Sequence, residues 1–118
     1  MDDFYCDQIL SGRVPVQVVA ETETVLAFHH VFRSWDTHIV VIPKRHVGSL
    51  SDVEDPHLLS ELFRVVIRVI GDMRLADANY KVVTNGGSFQ THKHLHIHVV
   101  SGKPLDPADP FLQRELAL

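Results

Sequence analysis

Four histidines, His92, His94, His96 and His98, alternate within seven residues, with Leu95, Ile97 and Val99 on the opposite parity. Successive side chains on a strand point to opposite faces, so His94, His96 and His98 share one face, about 6.5 Å apart per two-residue step. Leu95, Ile97 and Val99 share the other, which must lie on an apolar core. The chain has nine histidines in 118 residues; at that frequency four alternating ones arise by chance in roughly 0.004 of such sequences. An imidazole row also needs a reason, because buried histidines lose solvation and charged neighbours repel.

The rest of the chain supplies a sheet for this strand to join. Val16 to Ala20 and Val25 to His29 read as a hairpin across the polar turn Glu21-Thr22-Glu23-Thr24. His38 to Ile42 is a third strand, stopped by Pro43, which cannot donate to a ladder. Tyr80 to Thr84 is a fourth, followed by the hairpin-grade turn Asn85-Gly86-Gly87-Ser88, and Thr91 to Val100 is the fifth. Asp55-Pro56 is an N-cap followed by proline at the first helical position, opening a helix to about Met73. These signals predict one α+β domain over residues 1–118: a five-stranded antiparallel sheet with one long central helix. From about residue 101 to 118 an irregular tail is expected, punctuated by Pro104, Pro107 and Pro110, with a short helix possible at its end.

That helix is apolar on too wide an arc. Its polar stripe is His57, Ser60, Glu61, Arg64, Arg68 and Asp72. The remainder divides into Leu58/Leu62/Val65/Val66/Val69/Met73 and Leu59/Phe63/Ile67/Ile70. Packing on one sheet face needs a stripe ~100° wide. A helix sunk deep in a monomer core is one explanation, but a domain this size has little interior. A symmetric partner covering the second set is the better account, so a homodimer with associating sheets is expected.

Composition removes several function classes. The net charge of −4 and pI near 6.1 argue against a nucleic-acid binder, which needs a basic face to replace counterions. Arg64 and Arg68 interrupt the apolar run Val65-Val66-Ile67, so no membrane span is expected. One cysteine, Cys6, permits no internal disulfide framework or cysteine-cluster zinc module. The acidic start Met1-Asp2-Asp3 lacks a signal-peptide layout, so a soluble cytoplasmic protein is expected.

Three readings compete for the histidine face. It can be a solvated strand face that is histidine-rich. It can hold zinc: alternating histidines supply two or three ligands, a structural site wants four, and His38 or His46 can add to a catalytic one. Or one imidazole is a nucleophile and its neighbours are N–H donors for a phosphate.

His94-Leu95-His96-Ile97-His98-Val99-Val100 resembles the signature of the histidine-triad (HIT) nucleotide hydrolases and transferases. Leu26-Ala27-Phe28-His29, Thr37-His38 and Val41-Ile42-Pro43-Lys44-Arg45-His46 are similar to the nucleotide-binding, phosphoramidase-type branch, at the same mutual spacing. Asn85-Gly86 and Gln90-Thr91 fall where that branch carries its asparagine turn and its glutamine-serine run. The resemblance favours the third reading and implies a purine nucleotide or nucleoside phosphoramidate substrate, with no metal and no cofactor. It implies that His96 attacks the α-phosphorus to form a nucleotidyl-histidine that water hydrolyses, and that His98 donates to a non-bridging oxygen. His94, His38 and His46 would form a buried imidazole set orienting the nucleophile. Phe28, His30, Val31, Asn85, Phe89, Gln90 and Thr91 would bind substrate. Dinucleoside polyphosphate hydrolysis is the alternative activity, and a non-catalytic nucleotide-binding or scaffolding role is the alternative of another class.

Some positions depart from the pattern. His30 stands where the branch has an acid that holds both ribose hydroxyls. Phe89 replaces a glycine, the turn before it is two residues shorter, and Thr91 replaces serine. The tail lacks the tryptophan-proline ending. His57 reads as solvated, His92 as a surface histidine and Lys44-Arg45 as a solvated corner. Cys6 and Trp35 receive no role.

Overall fold

Local signals and strand pairing agree over most of the chain. The structure, a computed structural model, describes residues 3–116. Thr22 Oγ1 accepts from the N–H groups of Thr24 and Val25, making the turn between β1 (Val18–Glu21) and β2 (Val25–His29). β3 is Trp35–Pro43, β4 is Lys81–Thr84 and β5 is Ile97–Pro104. The order across the sheet is β1-β2-β3-β5-β4, antiparallel throughout. The long helix α1 (Pro56–Asp72) begins where expected, with the Asp55 carboxylate accepting from the His57 N–H. A second, short helix α2 (Pro110–Glu115) is capped the same way by Asp109.

Each sheet face is covered by a different element. On one, Leu58, Leu62, Val65, Val66 and Val69 of α1 lie against Ala27, Ile39, Val41, Leu95, Ile97 and Val99. Truncating a fully buried leucine such as Leu62 to alanine costs about 2–5 kcal/mol. On the other, the N-terminal π-helical turn Tyr5–Leu10 sets Tyr5 and Ile9 on Leu26, Phe28, Val40 and Ile42. Beside it, Leu112 and Leu116 of the C-terminal segment bury Trp35 and Val100. The imidazole face of β5 is therefore roofed by the two chain ends.

The boundaries differ from expectation in instructive ways. β5 is not Thr91–Val100 but Ile97–Pro104, because Thr84 pairs with Ile97 and the ladder ends there. Asn85–Ser88 is accordingly no tight hairpin; a long loop leads from Thr84 to Ile97 and includes a 3₁₀ turn at Gly87–Phe89. The alternation nevertheless persists upstream of the ladder. Leu95 is in the α1 core, fixed by its N–H to the Val47 carbonyl (2.6 Å), while His94 and His96 face the other side. Alternation thus reports which side each residue takes without requiring a paired neighbour strand. The segment from residue 101 is not wholly irregular: it continues β5 to Pro104 and forms α2. Residues 117 and 118 of the expected end helix lie outside the described residues. Of the second apolar set of α1, Leu59, Phe63 and Ile67 are exposed, Ile67 to 68%, whereas Ile70 is half-buried against the core.

Candidate active site

Backbone groups fix the protons on the histidines. His96 is buried, and its Nδ1 donates to the His94 carbonyl at 2.7 Å. A carbonyl only accepts, so a neutral His96 carries its proton on Nδ1 and keeps the lone pair on Nε2. The Ser34 N–H donates to His38 Nδ1 at 3.0 Å, which leaves His38 its proton on Nε2. That Nε2–H donates to His98 Nδ1 at 2.9 Å, so His98 in turn carries its proton on Nε2. Neighbours on the same face therefore present opposite chemistry, a lone pair from His96 and a donor from His98. Burial, reinforced by the neighbouring His30, His98 and His96, pushes His38 down to about 2, so it stays neutral. Burial likewise lowers His98, against the opposing pull of Glu115.

Glu115, at the end of α2, reaches this pair. Its Oε2 lies 3.6 Å from His98 Nε2 and 3.8 Å from His96 Nε2, and the residue is 1% exposed. Oε1 accepts from the Thr91 N–H at 2.6 Å. Oε2 and His98 Nε2 are both buried and close no hydrogen bond. Burial opposes ionisation of Glu115, but the His98 ring and the Thr91 N–H outweigh it and hold the carboxyl well below the usual range. A cavity of about 420 Å³ opens over these groups. Its apolar walls are Phe4, Tyr5, Phe32 and Phe111, and His30 and His92 also line it. Flat apolar walls around one free imidazole lone pair and a few donors suit a ligand with an aromatic ring and an anionic group.

The expected site residues fall into three places. His96, His30 and Thr91 line the cavity with Glu115, while His98 is fully buried beside the Glu115 carboxylate, with His38 directly behind it. His30 stacks on His38 (ring centroids 4.4 Å), and its Nδ1 accepts from the Phe32 N–H at 2.9 Å. Burial and the nearby His98 and His96 lower it to about 4. Others lie just outside the cavity. Phe28 is buried under Tyr5, Val31 lines an adjoining polar groove, and Gln90 donates to the Gly48 carbonyl at 2.6 Å. Asn85 Nδ2 holds the Glu115 carbonyl at 2.8 Å, and Phe89 is 61% exposed on its loop. His94 turns away, its Nε2 donating to the Pro43 carbonyl at 2.9 Å and its Nδ1 facing Asp3 Oδ2 at 2.9 Å. His46, expected in a buried set, is exposed and sits beside Asp3.

Sequence reasoning missed Glu115, Tyr5 and Asp3, and gave no role to His92 and Cys6. His92 is half-buried, stacked on Phe4 at 4.9 Å, rather than a free surface histidine. Glu115 lies in what reads as tail, where no local pattern marks it. Asp3 and Cys6 share one turn of the N-terminal segment, a spacing whose meaning depends on His46 and His94 arriving from elsewhere.

Two groups of potential metal ligands occur among the described residues: Asp3, Cys6, His46 and His94; and His96, His98 and Glu115. In each, the ligand atoms lie within 4.8 Å of one another. The first has four donors of mixed O, S and N character, with Cys6 Sγ 3.4 Å from His94 Nδ1, and its chemistry fits zinc. The second fits poorly. A metal needs the lone pair of His98 Nε2, which would reverse the His38 tautomer and set a proton on Nδ1 against the Ser34 N–H.

The HIT domain model matches residues 11–105. An uncharacterised 13.2 kDa HIT-like protein of Azospirillum brasilense is 38% identical over 108 residues, covering 85% of this chain and 86% of that one. A 14 kDa zinc-binding protein of Zea mays is 31% identical over 105 residues, covering 85% and 82%. The structure of a HIT family hydrolase from Clostridium thermocellum superposes with a TM-score of 0.78 at 25% identity, covering 90% of this chain and 95% of that one. No described helix is long and apolar enough to cross a membrane. The architecture and its clustered histidines support a hydrolase of the histidine-nucleophile kind, and by domain match and identity the chain belongs to the HIT family.

Proposed function

We propose that this chain hydrolyses nucleoside 5′-phosphoramidates or related adenylylated compounds through a nucleotidyl-His96 intermediate. The observation that carries the reading is the His96 Nδ1 bond to the His94 carbonyl, which leaves Nε2 unprotonated at the cavity. In the first step the Nε2–phosphorus bond forms and the phosphorus–nitrogen bond breaks; the leaving amine takes a proton from solvent, and the attacking water returns one to solvent in the second step. The His98 Nε2–H donates to a non-bridging oxygen, where charge gathers as the phosphorus becomes trigonal. Losing one such donor typically costs about 2.7–4 kcal/mol of barrier. Water then attacks the phosphorus, and His96 leaves as neutral imidazole with its Nδ1–H retained. Phe4, Phe32 and Phe111 offer faces for a purine. His96→Ala should abolish turnover of adenosine 5′-phosphoramidate while AMP affinity stays within about tenfold, because the other contacts remain. Substantial residual kcat, or no nucleotidyl adduct by intact mass under rapid quench, would overturn the reading.

The donor set Asp3, Cys6, His46 and His94 favours a structural zinc beside this site, against the expectation of no metal. Zinc there would tie the N-terminal segment to the residue whose carbonyl holds His96. Elemental analysis should find about one zinc per chain, lost in Cys6→Ala. A second copy of the chain is proposed to cover Leu59, Phe63 and Ile67, giving a homodimer.

A further inference from the structure

The C-terminal helix delivers a carboxylate to the place where a phosphoryl group would have to sit. Phosphorus must come to about 3–3.5 Å from the attacking nitrogen. Glu115 Oε2 already lies 3.8 Å from His96 Nε2 and 3.6 Å from His98 Nε2, which leaves no room for a tetrahedral phosphoryl group between them. The groups Glu115 faces are those an anionic substrate needs: the unpartnered His98 Nε2–H, 3.6 Å from Oε2, and the Thr91 N–H, bonded to Oε1 at 2.6 Å. Both occupants carry negative charge, so they repel as well as overlap.

We propose that Glu115 is an intramolecular occupant of the phosphoryl seat, and that nucleotide binds only when this carboxylate withdraws. The proposal rests on the preceding reading only for the class of ligand. A role for Glu115 as metal ligand conflicts with the Ser34–His38–His98 proton order described above. The phosphoryl oxygens of the substrate offer Glu115 no donor, and a role toward the leaving amine would appear as a kcat loss in Glu115→Gln. The anchoring of α2 is suited to release. It is six residues long, held by Leu112 and Leu116 against Trp35 and Val100, by the Asn85 amide on the Glu115 carbonyl, and by Arg114 Nη2 on the Ser88 carbonyl at 2.8 Å. Binding competence is then a fraction of the population, and apparent affinity falls by that fraction.

The test is calorimetric titration of the full chain with AMP and, separately, with inorganic phosphate. Glu115→Gln keeps the shape and removes the charge, and should bind both at least tenfold more tightly. Arg114→Ala loosens the helix from outside the cavity and should tighten binding several-fold in the same direction, so the test survives if Glu115→Gln fails to fold. With adenosine 5′-phosphoramidate, KM should fall in Glu115→Gln while kcat does not. Unchanged or weaker AMP and phosphate binding in the folded variants would overturn the proposal. So would a kcat loss in Glu115→Gln at unchanged KM, which marks an acid–base group instead. Binding of AMP and phosphate needs no turnover, so a chain inert towards phosphoramidates would still report on this seat.

Discussion

His38 Nε2 lies 2.9 Å from His98 Nδ1, and the Ser34 N–H behind His38 gives that bond a direction. A backbone donor cannot reverse roles, so the proton on each ring is set in turn, ending with one on His98 Nε2. His96, two residues away, is set the opposite way by a backbone acceptor, the His94 carbonyl. The division between a free lone pair on His96 and an N–H donor on His98 therefore resides in two backbone groups. Neither needs a perturbed pKa to enforce it.

Replacing His38 should separate positioning from packing. Leucine in His38→Leu cannot donate to His98 Nδ1 and strands the Ser34 N–H, so kcat should fall at least tenfold with KM little changed. Glutamine can accept from Ser34 through its oxygen and donate through its amide nitrogen. His38→Gln should therefore recover most of kcat in steady-state assays. Equal losses in the two variants would assign His38 to packing alone.

Stability should fall as the solution is acidified from pH 7 to 5. His30 and His38 are pushed down to about 4 and about 2, chiefly by burial, whereas an unfolded histidine titrates near 6.5. Below about 6.5 the unfolded chain takes up protons that the folded chain refuses, so their contribution is present above that pH and lost as it drops. The slope is at most about 1.4 kcal/mol per pH unit for each group. Asp3 and Glu115, held below the usual carboxylate range, add their loss only under about pH 4.5. Calorimetric Tm at pH 5 and 7 measures this, and a flat profile would contradict it.

The sheet, the long helix and the meeting of His96 with His98 were legible because each follows from parity or periodicity within one segment. Asp55-Pro56 marks the start of α1 by local chemistry alone, and it holds. The end of the β4–β5 ladder was not legible: Asn85-Gly86 looks like a tight turn, but the Thr84–Ile97 pairing is decided by where Ile97 meets the core. Glu115 was invisible for a related reason. Leu112 and Leu116 carry it to His98 by burying Trp35, a contact between distant segments that no local pattern encodes. His94 illustrates the intermediate case. Its face follows from alternation, but its partners Asp3, Cys6 and His46 come from two other parts of the chain.

Assembly has a direct test in the exposed stripe of α1. Phe63 and Ile67 stand out from a helix whose other apolar set is already buried. If a second copy covers them, Phe63→Glu buries a charge at the interface and should give monomers or insoluble protein. Light scattering should report a dimer for the unmodified chain at micromolar concentration. A stable monomer there would refute the pairing.

His30 bears on sugar recognition. A carboxylate at this position accepts from two hydroxyls at once, whereas a neutral imidazole has one acceptor nitrogen. Here that nitrogen is already used, because Nδ1 accepts from the Phe32 N–H at 2.9 Å. Burial keeps the ring neutral down to about pH 4, and only the Nε2–H is left to offer. A ribose hydroxyl can accept that one bond but finds no acceptor for its own proton on His30. Discrimination against 2′-deoxyribose should therefore be weak, and constant from pH 5.5 to 8, where the ring does not titrate. His30→Asp restores two acceptor oxygens. A hydrogen bond to a charged group contributes about 1.5–3 kcal/mol, so the ribo/deoxyribo ratio of kcat/KM should rise roughly tenfold or more. Matched ribo- and 2′-deoxyribonucleoside phosphoramidates assayed across that range provide the measurement. A ratio unchanged in His30→Asp would remove residue 30 from sugar contact, and a pH-dependent ratio in the unmodified chain would mean that His30 titrates after all.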